Sequence, residues 1–119
     1  MKKILVVDDD LDYLAFLVTG LEKNFEIYVA SGVKEALQVL GNNEIDAICS
    51  DFSMKDGTGL DLLREIRQKD LTTPFLLMSG DDDKMLEKEA KQYGGAFCCK
   101  TDYDFLAKVR ELVTKTSHT

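Results

Sequence analysis

The sequence is poor in proline and cysteine, and each scarcity excludes a class of protein. It has one proline, which excludes a proline-rich linker, and it has no low-complexity tract. Its three cysteines, Cys49, Cys98 and Cys99, are an odd number in apolar runs that lack the spacing of metal ligands. We therefore interpret them as small buried hydrophobic residues. This interpretation excludes a disulfide or zinc framework and agrees with a reducing compartment.

Long apolar stretches and positive charge are also lacking. No segment approaches the roughly 18 consecutive apolar residues of a membrane span. The start of the chain, MKKILVVDDD, turns acidic where a secretory signal stays apolar. Both features predict a cytoplasmic protein without a membrane partner. The formal net charge of −7 opposes the phosphate backbone of nucleic acids, so we expect no direct nucleic acid partner.

The sequence does contain short apolar runs that alternate with segments of helical spacing. The runs are 4–7, 27–30, 47–49, 75–78 and 96–99. The helices predicted to follow them are 11–21, 33–40, 62–66, 84–93 and 105–113. Ser31 is predicted to cap the second helix, and the fourth helix is only weakly apolar. Gly57 and Gly59 are assigned to a turn.

Five consecutive β–α units predict an α/β protein. The runs are too apolar for half-exposed strands, so we expect a five-stranded parallel sheet covered by five helices on both faces. The predicted fold is flavodoxin-like and doubly wound, with the strand order 2-1-3-4-5. The chain is predicted to be one domain, 1–119, in which residues 115–119 are a polar tail that could begin a linker.

Three acidic residues follow two strands that are neighbours in this order. Asp8 and Asp9 end the first strand and Asp51 ends the third, so their carboxylates meet at the carboxyl edge of the sheet, where such sheets bind ligands. Carboxylates crowded together require raised pKa values or a bound cation. An all-oxygen cluster with few ligands suits Mg²⁺, which we therefore expect as the cofactor.

Ser79 and Lys100 end the fourth and fifth strands at the same edge. A hydroxyl and a cation suit an anion, and a carboxylate such as Asp51 can attack phosphorus, so the set predicts phosphoryl transfer to a side chain. Taken singly, each residue has an ordinary interpretation: a helix cap for Asp8, a turn for Asp51 or Ser79, and a solvated side chain for Lys100. Their joint position at the ends of four strands favours the functional hypothesis.

At these residues the sequence resembles the receiver domain of two-component response regulators, over essentially the whole chain. The matching motifs are Leu5 to Asp9, Asp51 to Met54 with Gly59, Ser79-Gly80, and Lys100. The resemblance implies a phosphoacceptor, a set of metal ligands and two phosphoryl contacts. The implied phosphoacceptor is Asp51. The implied metal ligands are Asp8, Asp9, Asp51 and the backbone carbonyl of Ser53, and the implied phosphoryl contacts are Ser79 and Lys100.

The resemblance also implies a conformational switch and a set of partners. Ser79 and the aromatic residue Phe97 are the switch positions, although simple core packing explains Phe97 equally well. The partners would be a sensor histidine kinase or a histidine phosphotransfer protein, and a downstream protein target or output domain. The domain would be a phosphoacceptor that catalyses only its own phosphorylation and dephosphorylation, and not a turnover enzyme.

Two positions depart from the pattern of this family. Lys55 and Thr101 stand where the family usually has proline. The second of these prolines typically follows a cis peptide bond. Because a cis bond before a residue other than proline costs about 3–4 kcal/mol, we predict a trans bond between Lys100 and Thr101.

Two alternative functions follow from the same residues. The first is a receiver-like binding module that acts without phosphorylation, which the two missing prolines suggest and the intact acids oppose. The second is a magnesium-dependent phosphohydrolase with an aspartate nucleophile. Such enzymes normally need a second acid two residues after the nucleophile, and that position is Ser53.

Overall fold

The computed structural model describes residues 1–102 and 104–115, with side chains in the last helix described to residue 112. The main sheet contains β1 (Lys3–Val7), β2 (Glu26–Ala30), β3 (Ala47–Asp51), β6 (Phe75–Ser79) and β7 (Ala96–Cys99). A short hairpin after β3 is formed by β4 (Ser53–Met54) and β5 (Gly57–Thr58). The helices are α1 (Leu11–Leu21), α2 (Val33–Asn42), α3 (Gly59–Gln68), α4 (Lys84–Gln92) and α5 (Phe105–Lys115).

The main sheet is parallel throughout and has the order β2-β1-β3-β6-β7. This confirms the predicted flavodoxin-like fold, since the five long strands follow the order 2-1-3-4-5 along the chain. The first and third strands are neighbours, and Val7 pairs with Ser50. The residues that follow these two strands therefore meet at one edge of the sheet.

The core forms two layers, one on each face of the sheet. Leu5 and Val7 belong to the layer that packs against α2, α3 and α4, whereas Ile4 and Val6 belong to the layer under α1 and α5. Successive strand residues face opposite sides, so a strand covered on both faces is apolar at every position. This explains the continuous apolar runs. All three cysteines are free and buried, as predicted.

The start of α2 differs from the prediction. Ser31 does not cap the helix; its hydroxyl donates to the Glu35 carboxylate at 3.2 Å. The backbone N–H groups of Val33 and Lys34 instead donate to the two carboxylate oxygens of Asp56, at 2.8 and 3.0 Å. Asp56 lies in the turn between β4 and β5, so this cap comes from a distant part of the chain and carries no local sequence signal.

Several predicted boundaries also shift. Helix α4 ends at Gln92, β1 ends before Asp8, and Lys100 follows β7. The polar tail was predicted from residue 115, but Lys115 still belongs to α5. The predicted inward position of Val113, and the rest of the tail at 116–119, lie outside the described residues and side chains. Within the described part of the chain, none of the helices combines the length and apolarity needed to cross a membrane.

Helix α3 begins with a reciprocal cap that we expect to stabilise the domain. The Thr58 hydroxyl accepts from the Asp61 N–H at 3.0 Å, and the Asp61 carboxylate accepts from the Thr58 N–H at 3.0 Å. Thr58→Ala should lower the free energy of unfolding by about 1 kcal/mol, because it leaves a helix donor without its acceptor. Thr58→Ser keeps the acceptor and should retain most of the stability. Urea denaturation followed by circular dichroism measures both; equal losses would assign the effect to the methyl group.

Candidate functional site

Three carboxylates converge at the carboxyl edge of the sheet. Asp8 and Asp9 follow β1, and Asp51 is the last residue of the neighbouring β3. One carboxylate oxygen from each residue lies within 4.8 Å of the other two. Asp8 is fully buried, whereas Asp9 and Asp51 are partly exposed. The sheet order thus brings together the acids that the sequence singled out.

The buried Asp8 carboxylate has partners for both of its oxygens. Oδ1 accepts from the Asp10 N–H at 2.9 Å, and Oδ2 accepts from the Lys100 ammonium at 2.8 Å. A buried carboxylate costs free energy unless it is paired and hydrogen-bonded, so these contacts offset the cost of burying Asp8. Asp10 also caps α1, accepting from the N–H groups of Asp12 and Tyr13.

The Lys100 ammonium bridges two of the three acids. Its Nζ lies 2.8 Å from Asp8 Oδ2 and 3.0 Å from Asp51 Oδ1. Burial lowers the pKa of this ammonium, but hydrogen bonds to Asp8 and Asp51 outweigh that effect and raise the pKa above its ordinary value. Lys100 is therefore charged at neutral pH. Its side chain is largely buried and is held at the acidic cluster.

The Asp51 carboxyl has the opposite balance. Burial raises its pKa, the hydrogen bond and charge of Lys100 lower it, and the neighbouring Asp8 raises it again, so the net shift is upward. The positive charge of Lys100 therefore does not compensate fully for burying the Asp51 carboxylate beside that of Asp8. Asp51 remains a site at which added positive charge would be favourable.

Ser79, Ser53 and Phe97 occupy different positions around this centre. Ser79 ends β6, where its Oγ accepts from the Asp81 N–H at 3.2 Å. Ser53 begins β4 two residues after Asp51 and has an exposed side chain. Its carbonyl as a metal ligand remains a prediction. Phe97 is half-buried in β7 and packs against the layer of α2, α3 and α4, which leaves its role as a switch or as a core residue open.

The peptide bond after Lys100 is trans, as predicted, since no peptide bond in the described residues is cis. The Lys100 N–H donates to the Ser79 carbonyl at 2.7 Å, which ties the chain after β7 to the end of β6. The Thr101 hydroxyl lies 2.9 Å from the sulfur of Cys99. Threonine in place of the family's proline therefore leaves Lys100 in contact with both acids.

Two residues beside the site, Gly59 and Tyr13, have structural roles that the sequence did not predict. Gly59 was assigned to a turn, but a Cβ there would collide with the backbone oxygen of Asp51, so its absence allows α3 to approach the site. Gly57, with φ of +148°, is the glycine required by the turn. The ring of Tyr13 lies under Lys100, with Nζ 4.0 Å from the ring centroid. No sequence signal singled out Tyr13.

Comparison with known proteins identifies the family. The family model for the response regulator receiver domain matches residues 4–109. The chain belongs to this family. It is 32% identical to the response regulator protein PilR of Pseudomonas aeruginosa over 113 residues, which are 94% of this chain and 25% of PilR.

Solved receiver domains have the same fold. A Francisella response regulator 1452 receiver domain is 29% identical, with a TM-score of 0.88 and coverage of 98% of this chain and 99% of the other. The response regulator TrrA of Thermotoga maritima, solved in complex with Mg²⁺-BeF, is 27% identical, with a TM-score of 0.81 and coverage of 94% and 99%. The chain spans 25% of the length of PilR and 54% of that of the response regulator ArlR of Staphylococcus saprophyticus.

The acidic cluster of this receiver domain fits the ion that receiver domains bind. Mg²⁺ prefers oxygen ligands and commonly binds through one or two carboxylates together with water. Asp8, Asp9 and Asp51 offer such oxygens within 4.8 Å of one another. A divalent cation would also favour the charged form of Asp51, whose pKa is raised first by burial and then by repulsion from Asp8.

The raised pKa of Asp51 predicts a stabilising substitution. Because the charged form is disfavoured in the folded state, it reduces stability at pH values above the folded-state pKa, and this cost disappears when the carboxyl is protonated in both states. In the absence of Mg²⁺, Asp51→Asn should therefore unfold at a higher temperature than the wild type at pH 7. The difference should shrink as the pH falls through the raised folded-state pKa of Asp51 toward the ordinary carboxyl value of about 4.

Thermal melts in EDTA at several pH values test this expectation. Glu44→Gln, which neutralises an exposed acid outside the cluster, is the matched control for net charge. A lower melting temperature for Asp51→Asn at pH 7 would contradict the argument, since the attraction to Lys100 would then outweigh the cost of burial.

Proposed function

We propose that this receiver domain accepts a phosphoryl group on Asp51 in a magnesium-dependent reaction and that phosphorylation switches a partner-binding surface. The observation that carries the proposal is the position of the Lys100 ammonium, 2.8 Å from Asp8 and 3.0 Å from Asp51, beside a third acid. A nucleophile, a cation and two further acids at one sheet edge are the groups that phosphoryl transfer to a carboxylate requires.

In the proposed reaction a carboxylate oxygen of Asp51 forms a bond to phosphorus. The bond between phosphorus and the donor breaks, and the donor leaves with its electron pair; the product is an aspartyl phosphate. The donor is the phosphohistidine of a sensor histidine kinase or histidine phosphotransfer protein, or a small acyl phosphate. When bound, Mg²⁺ neutralises negative charge on the phosphoryl oxygens.

The remaining residues take roles that suit their chemistry. Asp8 and Asp9, with Asp51 and the Ser53 carbonyl, would hold the metal ion. Lys100 carries the positive charge needed beside the transferred oxygens, and its pairing with Asp8 keeps it at the site. The Ser79 hydroxyl can donate to a phosphoryl oxygen.

The proposed switch uses Ser79 and Phe97. Phosphorylation changes the charge at one end of β6 and β7, and a two-state element responds if its two conformations interact differently with that charge. Support comes from the half-buried state of Phe97, which is one residue from the fully packed Cys98 on the same strand. Core packing remains the alternative role for Phe97.

The proposed partners and location follow from the family and the composition. Since relatives such as PilR are longer than this chain, we propose that the domain acts on an output domain or on a separate protein target. Residues 1–119 would then form the receiver unit. Receiver domains are signalling domains and generally not enzymes, so we expect no turnover of an external substrate. Three free cysteines support the predicted cytoplasmic location.

Phosphorylation can be tested by intact mass. Incubation with acetyl phosphate and Mg²⁺ should add the mass of one phosphoryl group to the wild type, and Asp51→Asn should gain none because an amide is a poor nucleophile toward phosphorus. A wild type that never gains this mass, with acetyl phosphate or with a cognate kinase, would sink the proposal and favour a phosphorylation-independent module. Multiple turnover of a phosphate ester would favour a phosphohydrolase.

Metal binding can be tested separately from phosphorylation. Asp9→Ala should weaken Mg²⁺ binding by about tenfold or more, because it removes one of three carboxylates. Asp12→Ala removes an exposed acid from the first turn of α1, outside the cluster, and is the matched control for charge. Isothermal titration calorimetry measures the affinities. Unchanged binding by Asp9→Ala would remove Asp9 from the site.

A further inference from the structure

The Lys100 ammonium has a third neighbour besides Asp8 and Asp51. Its Nζ lies 4.0 Å from the centroid of the Tyr13 ring, within the distance at which a cation is attracted to an aromatic face. The ring belongs to the first turn of α1, whereas Lys100 follows β7, far along the chain. The ammonium is thus held between two carboxylates and a ring face.

The ring itself is held firmly. It packs against Phe16 with a centroid distance of 5.6 Å and against Phe105 of α5 at 6.0 Å. The Tyr13 N–H donates to the capping carboxylate of Asp10, which fixes the backbone that carries the ring. The ring therefore has a defined position before any ligand arrives.

The hydroxyl group of Tyr13 does not explain the presence of this residue. The hydroxyl oxygen is buried and has no hydrogen-bond partner among the described residues. A buried hydroxyl without a partner reduces stability, so a phenylalanine would satisfy the packing at least as well. Besides its packing on Phe16 and Phe105, the ring contacts Lys100 through its face.

We propose that Tyr13 is a positioning residue for Lys100. The face of the Tyr13 ring keeps the Lys100 ammonium at the site while Asp51 accepts a phosphoryl group. This inference rests on the proposed function. When Asp51 forms its bond to phosphorus, its contact with Lys100 must change, and Asp8 is then the one carboxylate of the original pair that still holds the flexible lysine chain. The ring gives the ammonium a second neighbour, besides Asp8, that the reaction does not alter chemically.

A ring suits this task better than another acid would. A fourth carboxylate would attract Lys100, but it would also add to the repulsion among Asp8, Asp9 and Asp51 and would compete for the metal ion. The aromatic face attracts a cation through its quadrupole and carries no net charge. Tyr13 thus orients Lys100 without changing the charge of the acidic cluster.

Two substitutions separate positioning from packing. Tyr13→Phe keeps the ring, and as the conservative variant it should retain the rate of phosphorylation by acetyl phosphate within about twofold. Tyr13→Leu keeps an apolar side chain but loses the ring face, and it should lower the maximal rate about three- to tenfold with little change in the acetyl phosphate concentration at half-maximal rate. Phe25→Leu, which removes a ring from the same core layer away from the site, is the matched control.

A spectroscopic signature tests the contact without any phosphoryl donor. A ring at 4.0 Å should shift the proton resonances of the Lys100 side-chain methylene next to Nζ upfield in the wild type and in Tyr13→Phe. These resonances should move to ordinary values in Tyr13→Leu. Lys100→Ala assigns the signals.

The outcomes distinguish this inference from the function on which it rests. Lys100 resonances that do not respond to Tyr13→Leu, or a Tyr13→Leu rate equal to that of the Phe25→Leu control, would overturn the positioning role. A wild type that shows the upfield shift but never gains a phosphoryl mass would defeat the proposed function and leave the contact established. Loss of rate in both Tyr13→Phe and Tyr13→Leu would also overturn the proposal, because the ring would then not be the part that matters.

Discussion

The attraction between the Lys100 ammonium and the carboxylates of Asp8 and Asp51 is the interaction on which the site depends. Three acids within 4.8 Å would repel one another, and one of them is fully buried. The lysine pairs with two of them at 2.8 and 3.0 Å, which allows Asp8 to lie under the surface. Three negative charges and one positive charge leave a formal charge of −2 at the centre. That remainder matches a divalent cation and keeps the site attractive to one.

The topology of the sheet explains why a lysine makes the contact with Asp51. Lys100 follows β7 at the edge of the sheet, whereas Asp51 ends β3, and β6 lies between them. Two strand spacings amount to about 10 Å, which only a long side chain can cross. Ser79, on the intervening strand, is short, and its carbonyl accepts from the Lys100 N–H. The strand order therefore assigns the long cation to the outer strand and the short hydroxyl to the middle one.

Much of this arrangement could be predicted because its signals are local. Apolar runs marked the strands, and the acids at their ends became neighbours once the strand order was inferred. The contacts that escaped prediction join distant segments. Asp56 caps α2 from the hairpin, 23 residues after Val33, and Tyr13 of α1 meets Lys100 beyond β7. Gly59 resembled a turn residue, although the close approach of α3 to the Asp51 backbone requires it. Such pairings depend on tertiary packing, which the periodicity of a single segment does not encode.

The same contacts explain how the segment after Asp51 is held without the proline usual in the family. The hairpin that contains Lys55 is fixed at its turn by the Asp56 carboxylate, which bonds to two N–H groups of α2. At its end, Thr58 and Asp61 cap α3 reciprocally, and the Gly59 N–H donates to the Phe52 carbonyl at 2.7 Å. Together these contacts restrain Phe52, Asp56, Thr58, Gly59 and Asp61. Proline restrains one backbone angle, whereas these hydrogen bonds restrain the whole loop relative to α2 and α3. A lysine at position 55 is therefore compatible with an ordered loop after Asp51, because the order comes from neighbouring elements and not from the residue itself.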